Sequence, residues 1–409
     1  YLDVAHHISN WDWPAASAIY HWHFYPMLIA LLHKLSWLDL ESSALLINNL
    51  FIAGLVWVFL STLKLLDADR NTMIAGLLLI LIHPYINDYR ADVIRGPGFW
   101  FFMLLGLYLL LKLQLTSQYK YAILMSIAFI LAMLFRVEGM AYLMLGPVIL
   151  LMASHPLQLR MKLFASTYII PACIVLLALA AWAIMGPAVS ISSTQHPLGK
   201  INHPFELMRD AYLSLANKIP AKADIISTQV LNIHSEDFGV AGIIATLSII
   251  LIATVIKRIT ILILILSIYS QLKKRVVAMP AILWLSLINI GYMAAYVVHE
   301  FFLSSRFAMP IALFLALPAS FGLAYLFRKL DHVNLGMKVA RTIAALLAMF
   351  MLLDGLVSTG TSKAYLREGG YWVKENINPG EKLLTNQFTV KHYAGIRMTF
   401  DERSSIEQF

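Results

Sequence analysis

The sequence of 409 residues predicts an all-α polytopic membrane protein, and three observations carry that reading. It is 60% hydrophobic and 13% charged, against roughly 25% charged residues in a soluble domain. Its mean hydropathy is +0.73. Apolar runs recur at 44–66, 71–86, 97–113, 121–135, 139–153, 162–186, 238–256, 277–298, 308–327 and 340–357, which gives ten expected membrane helices. Several fall short of the roughly 20 residues of a full span, so tilted, kinked or partly submerged ends are expected.

The basic residues fit this list. With the first segment outside and the helices alternating, five short inner loops hold fifteen basic residues, among them Lys64, Arg70, Lys112, Lys120, Arg160, Lys257, Arg258 and Arg328. The short outer loops hold mainly Arg90, Arg95, Arg136 and Arg306, half of them beside acids. That asymmetry is the positive-inside pattern. It also accounts for the net charge of +8 without a nucleic-acid partner, because no single basic stripe forms. The lone Cys173 lies in an apolar run, so no intrachain disulfide can form.

Taken in order, residues 1–40 are polar and aromatic, with Trp11, Trp13, Trp22 and Trp37, as at a membrane interface. Pro26–Leu38 is too short to span and reads as an amphipathic helix on the surface. Asn48 and Asn49, mid-helix, read as interhelical hydrogen-bonding groups. Asp67-Ala68-Asp69 has the D-x-D pattern that holds a metal in some soluble transferases, but it falls in a tight turn with no nucleotide-binding domain around it. A solvated turn is the simpler reading. His21 and His23 lack a nearby Cys or carboxylate at ligand spacing and read as interfacial histidines.

Between two apolar runs, residues 83–100 read HPYINDYRADVIRGPGFW. Asp88, Arg90, Asp92 and Arg95 sit where one membrane helix gives way to the next. In a helix, Asp88, Asp92 and Arg95 (i, i+4, i+7) would share a face. Charges so near hydrocarbon are costly unless they line a site or a watery cavity. The plainer alternative is a set of ion pairs bracing two helix ends. A hairpin at Arg136-Val137-Glu138 keeps that pair out of the bilayer centre.

Residues 187–237 form a long outer loop in which Pro204–Ile219 has amphipathic spacing. The apolar run Ile259–Ser270 is flanked by basic residues and is placed on the inner face. A soluble tail follows Leu356: Tyr365–Asn376 is helix-like, Asn378-Pro379-Gly380 is a turn, and Lys382–Thr385 could form a strand. The expected division is therefore 1–357, with outer loops 1–40 and 187–237, and 358–409 as the truncated start of a small α/β domain. With a first residue other than Met and a last one inside the tail, a fragment is expected, preceded by at least one membrane helix.

All the outer charges fall at helix ends, a mixture of arginines and carboxylates suited to an anionic lipid headgroup and a polar acceptor. Arginine forks bind phosphate in a bidentate way, and a carboxylate accepts a proton from an attacking hydroxyl. No P-loop, H-E-x-x-H or G-x-S-x-G motif appears, which removes the usual support for ATPase, zinc protease and α/β-hydrolase chemistry.

Five stretches, in order, resemble the GT-C superfamily of polytopic glycosyltransferases. They are HFYPMLIALLHKL, HPYINDYRADVIRGPGFWFF, LFRVEGMAYLML, SSRFAMPIALFLALP and YLREGGYWVKENINPGEKLLTN. Within it the chain looks most like bacterial relatives of protein O-mannosyltransferases and aminoarabinose transferases. The resemblance implies transfer of a sugar, with inversion, from a polyprenyl-phosphate donor to a lipid, glycan or protein acceptor on the periplasmic side of the bacterial inner membrane. The family's catalytic Asp precedes an aromatic residue followed shortly by Ala. Tyr1 and Ala5 match those two, so the Asp is expected just upstream, and Asp3 departs from its place.

On this reading Asp3, or the upstream Asp, is the general base. Asp88 and Asp92 form the acceptor or metal side, Arg90, Arg95, Arg136 and Arg306 hold the carrier phosphate, and Glu138 orients Arg136. No cofactor is required, and a divalent metal is left open. Asp3, Asp88, Asp92, Arg95 and Arg306 are expected around one outer cavity. A lipid or solute transporter is the main alternative, but it would place its ionisable groups near the bilayer midplane. An O-antigen ligase or polymerase would carry more basic residues in the long loop than Lys200, Arg209, Lys218 and Lys222.

Overall fold

The computed structural model describes residues 1–89, 92–185, 203–225, 236–272, 276, 278–328, 335–356, 364–378, 383, 385 and 387–396. Three short helices come first: α1 (Leu2–Ser9), α2 (Trp13–Ile19) and α3 (Phe24–Leu35). α4 (Leu40–Leu65) and α5 (Arg70–Leu81) follow, joined by the D-x-D turn. There Asp69 caps α5, accepting from Thr72 N at 2.9 Å and Thr72 Oγ1 at 2.6 Å, so the motif satisfies a helix end. α6 (Pro84–Tyr89) is a short turn of helix before α7 (Gly96–Thr116), α8 (Tyr119–Phe135) and α9 (Gly139–Leu145). A 3-10 segment, Gly146–Met152, extends α9.

α10 (Leu157–Ser166) and α11 (Ile169–Met185) come next, then α12 (His203–Leu213) and α13 (Ile219–Ile225) from the long loop. α14 (Glu236–Ile259), α15 (Ile261–Leu272), α16 (Met279–Glu300), α17 (Met309–Leu326) and α18 (Leu335–Leu356) complete the bundle. α19 (Ala364–Asn376) and α20 (Phe388–Tyr393) make up the described tail. No strand occurs among the described residues. The expected strand at 382–385 and the turn at 378–380 fall largely outside them.

Seven described helical stretches are long and apolar enough to cross a bilayer, and five shorter apolar ones accompany them. The chain is an integral membrane protein. The bundle is built around α17, whose span is 83% buried, whereas the α18 span is 11% buried and turns Ile343, Leu346, Phe350 and Leu353 outward. Apolar side chains gain nothing from leaving a bilayer, so such faces are stable only against lipid.

The structure corrects the reading of residues 259–270. This run packs along α17 within the bundle, with Leu262, Ile263 and Leu266 buried. A Cβ at Gly322 would lie 2.2 Å from the Leu266 carbonyl oxygen, so only glycine admits this backbone approach. The two helices run the same way. Arg258, just before α15, meets Ser305, just before α17, and the Tyr269 and Tyr325 rings lie 5.8 Å apart at the far end. Arg258 is therefore at the same end of the bundle as Arg306, not among inner-loop cations.

A candidate anion-binding active site

The turn between α8 and α9 forms where the sequence places it. α8 ends at Phe135 and α9 begins at Gly139. A Cβ at Gly139 would sit 2.4 Å from Met133 N, so a glycine is what lets the chain fold back on α8. Both charges of the turn are buried, Arg136 to 3% exposure and Glu138 to 4%. Arg136 Nε donates to Glu138 Oε1 at 2.9 Å, and Arg136 Nη2 donates to the same oxygen. The guanidinium lies over the Phe307 ring at 4.4 Å and near Phe99 at 5.6 Å. Burial alone would push the Glu138 carboxyl up, but Arg136 and then Arg95 outweigh it and hold the group below the usual carboxylate range.

Two further arginines share this field. Arg95, at the start of α7, sits 5.9 Å from the Tyr20 ring and acts electrostatically on Glu138. Arg306, in the 3-10 turn before α17, feels the charges of Arg136 and Arg95. Neither has a carboxylate ion-pair partner within 4 Å among the described residues. Three guanidiniums thus face one carboxylate, which Arg136 already engages. Aromatic rings close the surroundings: Tyr1 packs edge-on against Tyr20 at 5.5 Å and Tyr25 at 5.3 Å. Such an arrangement has surplus positive charge and free guanidinium donors, and its chemical match is a phosphate or other oxyanion.

Residues the sequence did not single out hold the arrangement in place. Tyr142 OH donates to Asn289 Oδ1 at 2.6 Å, and Asn289 Nδ2 donates to the Phe307 carbonyl at 2.9 Å. This buried chain fixes the ring beneath Arg136. Trp22 Nε1 donates to the Leu134 carbonyl at 2.5 Å, tying the N-terminal segment to the last turn of α8.

A second polar cluster adjoins the first. Arg258 stacks on Tyr85 at 3.6 Å, donates to Tyr89 OH at 2.9 Å, and donates to Ser305 Oγ. Asp88 lies in its field, with Asp354, Asp92 and Lys257 nearby. Burial raises the Asp88 pKa, Arg258 opposes this, and Asp354 and Asp92 add to it. No local signal marks Arg258: a basic pair ending an apolar helix looks the same at either membrane face.

The sequence-based site residues are only partly brought together. Arg95, Arg136, Glu138 and Arg306 cluster. Asp88 and Asp92 do not share a helical face with Arg95, because α6 stops at Tyr89; Asn48 Nδ2 instead donates to the Asp92 carbonyl at 2.8 Å, holding the junction to α4. Asp3 turns toward the tail and accepts from His392 Nδ1 at 2.8 Å. Arg90 lies outside the described residues. No group of three His, Cys, Asp or Glu at metal-binding spacing occurs among the described residues. Asp88, Asp92 and Asp354 share their field with Arg258 and Lys257.

No family model matches the sequence, and no curated protein does. Solved structures do match. The oligosaccharyltransferase of Archaeoglobus fulgidus, tethered with an acceptor peptide containing the NVT sequon, superposes with a TM-score of 0.53 at 14% identity, covering 92% of this chain and 51% of that one. The same enzyme in complex with zinc and sulfate gives 0.53 at 15% identity, with 92% and 48% covered. The apo form gives 0.50 at 14%, with 92% and 52% covered. The chain spans about half the length of these structures and shares their membrane fold, which is the GT-C fold.

Proposed function

We propose that this chain is the membrane portion of a glycosyltransferase that moves a sugar from a polyprenyl-phosphate-linked donor to an acceptor outside the membrane, with inversion at the anomeric carbon. The observation that carries this reading is the set of three arginines, Arg95, Arg136 and Arg306, set against a single engaged carboxylate. In the reaction the acceptor forms a bond to the anomeric carbon while the bond from that carbon to the phosphate oxygen breaks. The electron pair leaves on the phosphate. Guanidinium donors already in place stabilise that charge as it develops, a contribution on the order of several kcal/mol in preorganised sites. Glu138 keeps Arg136 flat on Phe307. Arg90 belongs with the phosphate-binding group by sequence. Asp3, Asp88 and Asp92 are the proposed proton acceptors; Asp88 is linked to the arginines through Arg258, Ser305 and Tyr89.

The fold match favours a peptide acceptor over a lipid or glycan, because the archaeal structure holds an acceptor peptide. We further propose ten crossings in residues 1–357, a site facing the periplasm of a bacterial inner membrane, and residues 358–409 as the start of an α/β domain on that side. Two experiments test the reading. Purified protein with a labelled polyprenyl-phosphate sugar should transfer the label to a peptide or lipid acceptor, and Arg136→Ala should not. In a Cys173→Ser background, an impermeant thiol reagent should label Ile225→Cys but not Ser117→Cys in intact cells. The reverse labelling would invert the topology.

A further inference from the structure

A cleft of about 380 Å³ opens beside the second cluster, between α6, the corner where α14 meets α15, and α18. Its volume lies in the roughly 300–1,000 Å³ range of small-ligand sites. Its walls are apolar, with Leu262, Leu347 and Met351 inside and Ile256, Ile261 and Phe350 on the exposed, lipid-facing side. Its mouth is charged. Lys257 and Asp354 both line it, Asp88 lies in the same field, and Arg258 is stacked on Tyr85 at the inner edge.

The opposite charges do not pair with each other. No described residue gives the Lys257 ammonium, the Asp354 carboxylate or the Asp88 carboxylate a hydrogen bond or an ion pair within 4 Å. One cation, Lys257, and one anion, Asp354, therefore line the rim of the apolar cleft without pairing. The corner itself is held in an unusual backbone: Thr260, a β-branched residue, has φ +64°. Such a conformation persists only where its surroundings fix it. The first turn of α15 begins at this corner, and Ile261 and Leu262 line the cleft together with Lys257 and Thr260.

We propose that this cleft binds a phospholipid with a phosphoethanolamine headgroup. The lipid phosphate meets Lys257 and the start of α15, the ammonium meets Asp354, and a tail enters the apolar wall. A headgroup of zero net charge leaves the balanced mouth neutral. A phosphatidylglycerol headgroup would bring one uncompensated negative charge to a mouth that Asp354 lines. The site is separate from the three-arginine cluster, whose surplus positive charge suits a phosphate without a cation.

Native mass spectrometry of the purified protein, released from membranes of equimolar phosphatidylethanolamine and phosphatidylglycerol with the same acyl chains, tests this. The wild type should retain phosphatidylethanolamine over phosphatidylglycerol by about tenfold, equivalent to roughly 1.4 kcal/mol. The double variant Lys257→Ala/Asp354→Ala should lose that preference while melting at the same temperature. Phosphatidylcholine, whose ammonium cannot donate hydrogen bonds, should be held less well than phosphatidylethanolamine. Arg306→Ala should keep the lipid preference, which separates this site from the transfer site. Equal retention of the two lipids by the wild type, as an unselective lipid belt gives, or an unchanged preference in the double variant, overturns the proposal.

Discussion

The two polar clusters are neighbours, joined by Tyr89 and the Ser305–Arg306 turn, yet they are built on opposite principles. Around Arg136 three guanidiniums surround one carboxylate, and that ion pair is almost wholly buried. Around Arg258 two cations meet Asp88, Asp92 and Asp354, and most of those side chains reach the surface. The first arrangement is fixed by aromatic rings and a hydrogen-bonded chain, the second only by the contacts of Arg258. A buried ion pair is costly to break, because the charge left behind has no water. One cluster is thus suited to hold a fixed anion, and the other to exchange protons and neutral or zwitterionic groups.

The largest expected effect lies in the first cluster. Arg136→Ala should lower transfer by at least about 100-fold, since it removes phosphate donors and strands the Glu138 charge. Lysine should not restore it, because a point charge lacks the bidentate fork. Wild-type rates at limiting donor would sink this assignment. Arg306 has no carboxylate ion pair among the described residues, so Arg306→Ala should raise the donor KM by roughly tenfold, the weight of one charge-assisted hydrogen bond, with an unchanged melting temperature. A fall in stability instead would make Arg306 a structural brace.

The comparison sharpens through pH. Burial raises the Asp88 pKa. If Asp88 accepts the proton, activity should fall on acidification at a higher pH than an exposed carboxylate would give, and Asp88→Asn should abolish that limb of the profile. Stability moves the other way. The fold binds this proton more tightly than the unfolded chain, so the Asp88 contribution is present below its unfolded pKa and lost as pH rises through the folded one. Melting curves of the wild type and Asp88→Asn should diverge in that direction. The smallest effect is expected at Asn289→Leu, which leaves the Phe307 carbonyl and Tyr142 hydroxyl unpartnered. It should cost about 1–3 kcal/mol of stability and weaken donor binding, with kcat little changed.

How far these clusters could be read from the sequence follows from range. Arg136 and Glu138 interrupt an apolar run within three residues, and a charge pair there has no stable place except a turn, so the hairpin was legible. Arg306 was legible for the same reason. Arg258 was not. The turn that carries it to the site end depends on Thr260 at positive φ and on α15 packing against Gly322, neither of which has a local signature. The partner of Asp3 was equally hidden, because His392 comes from the tail, 389 residues away. Asn289 and Tyr142 look like ordinary polar residues in apolar helices until their 147-residue separation is closed.

The Trp22 tie has a consequence for how the protein is made. Chain synthesis delivers Trp22 long before Leu134, its partner 112 residues on, and membrane domains assemble as segments emerge. The aromatic segment can therefore complete its packing only once α8 has been made and its last carbonyls are in place. Completion of the hairpin is then the event that closes this segment over the site. During biosynthesis the N-terminal segment is tied down in this way only in chains that have already made α8.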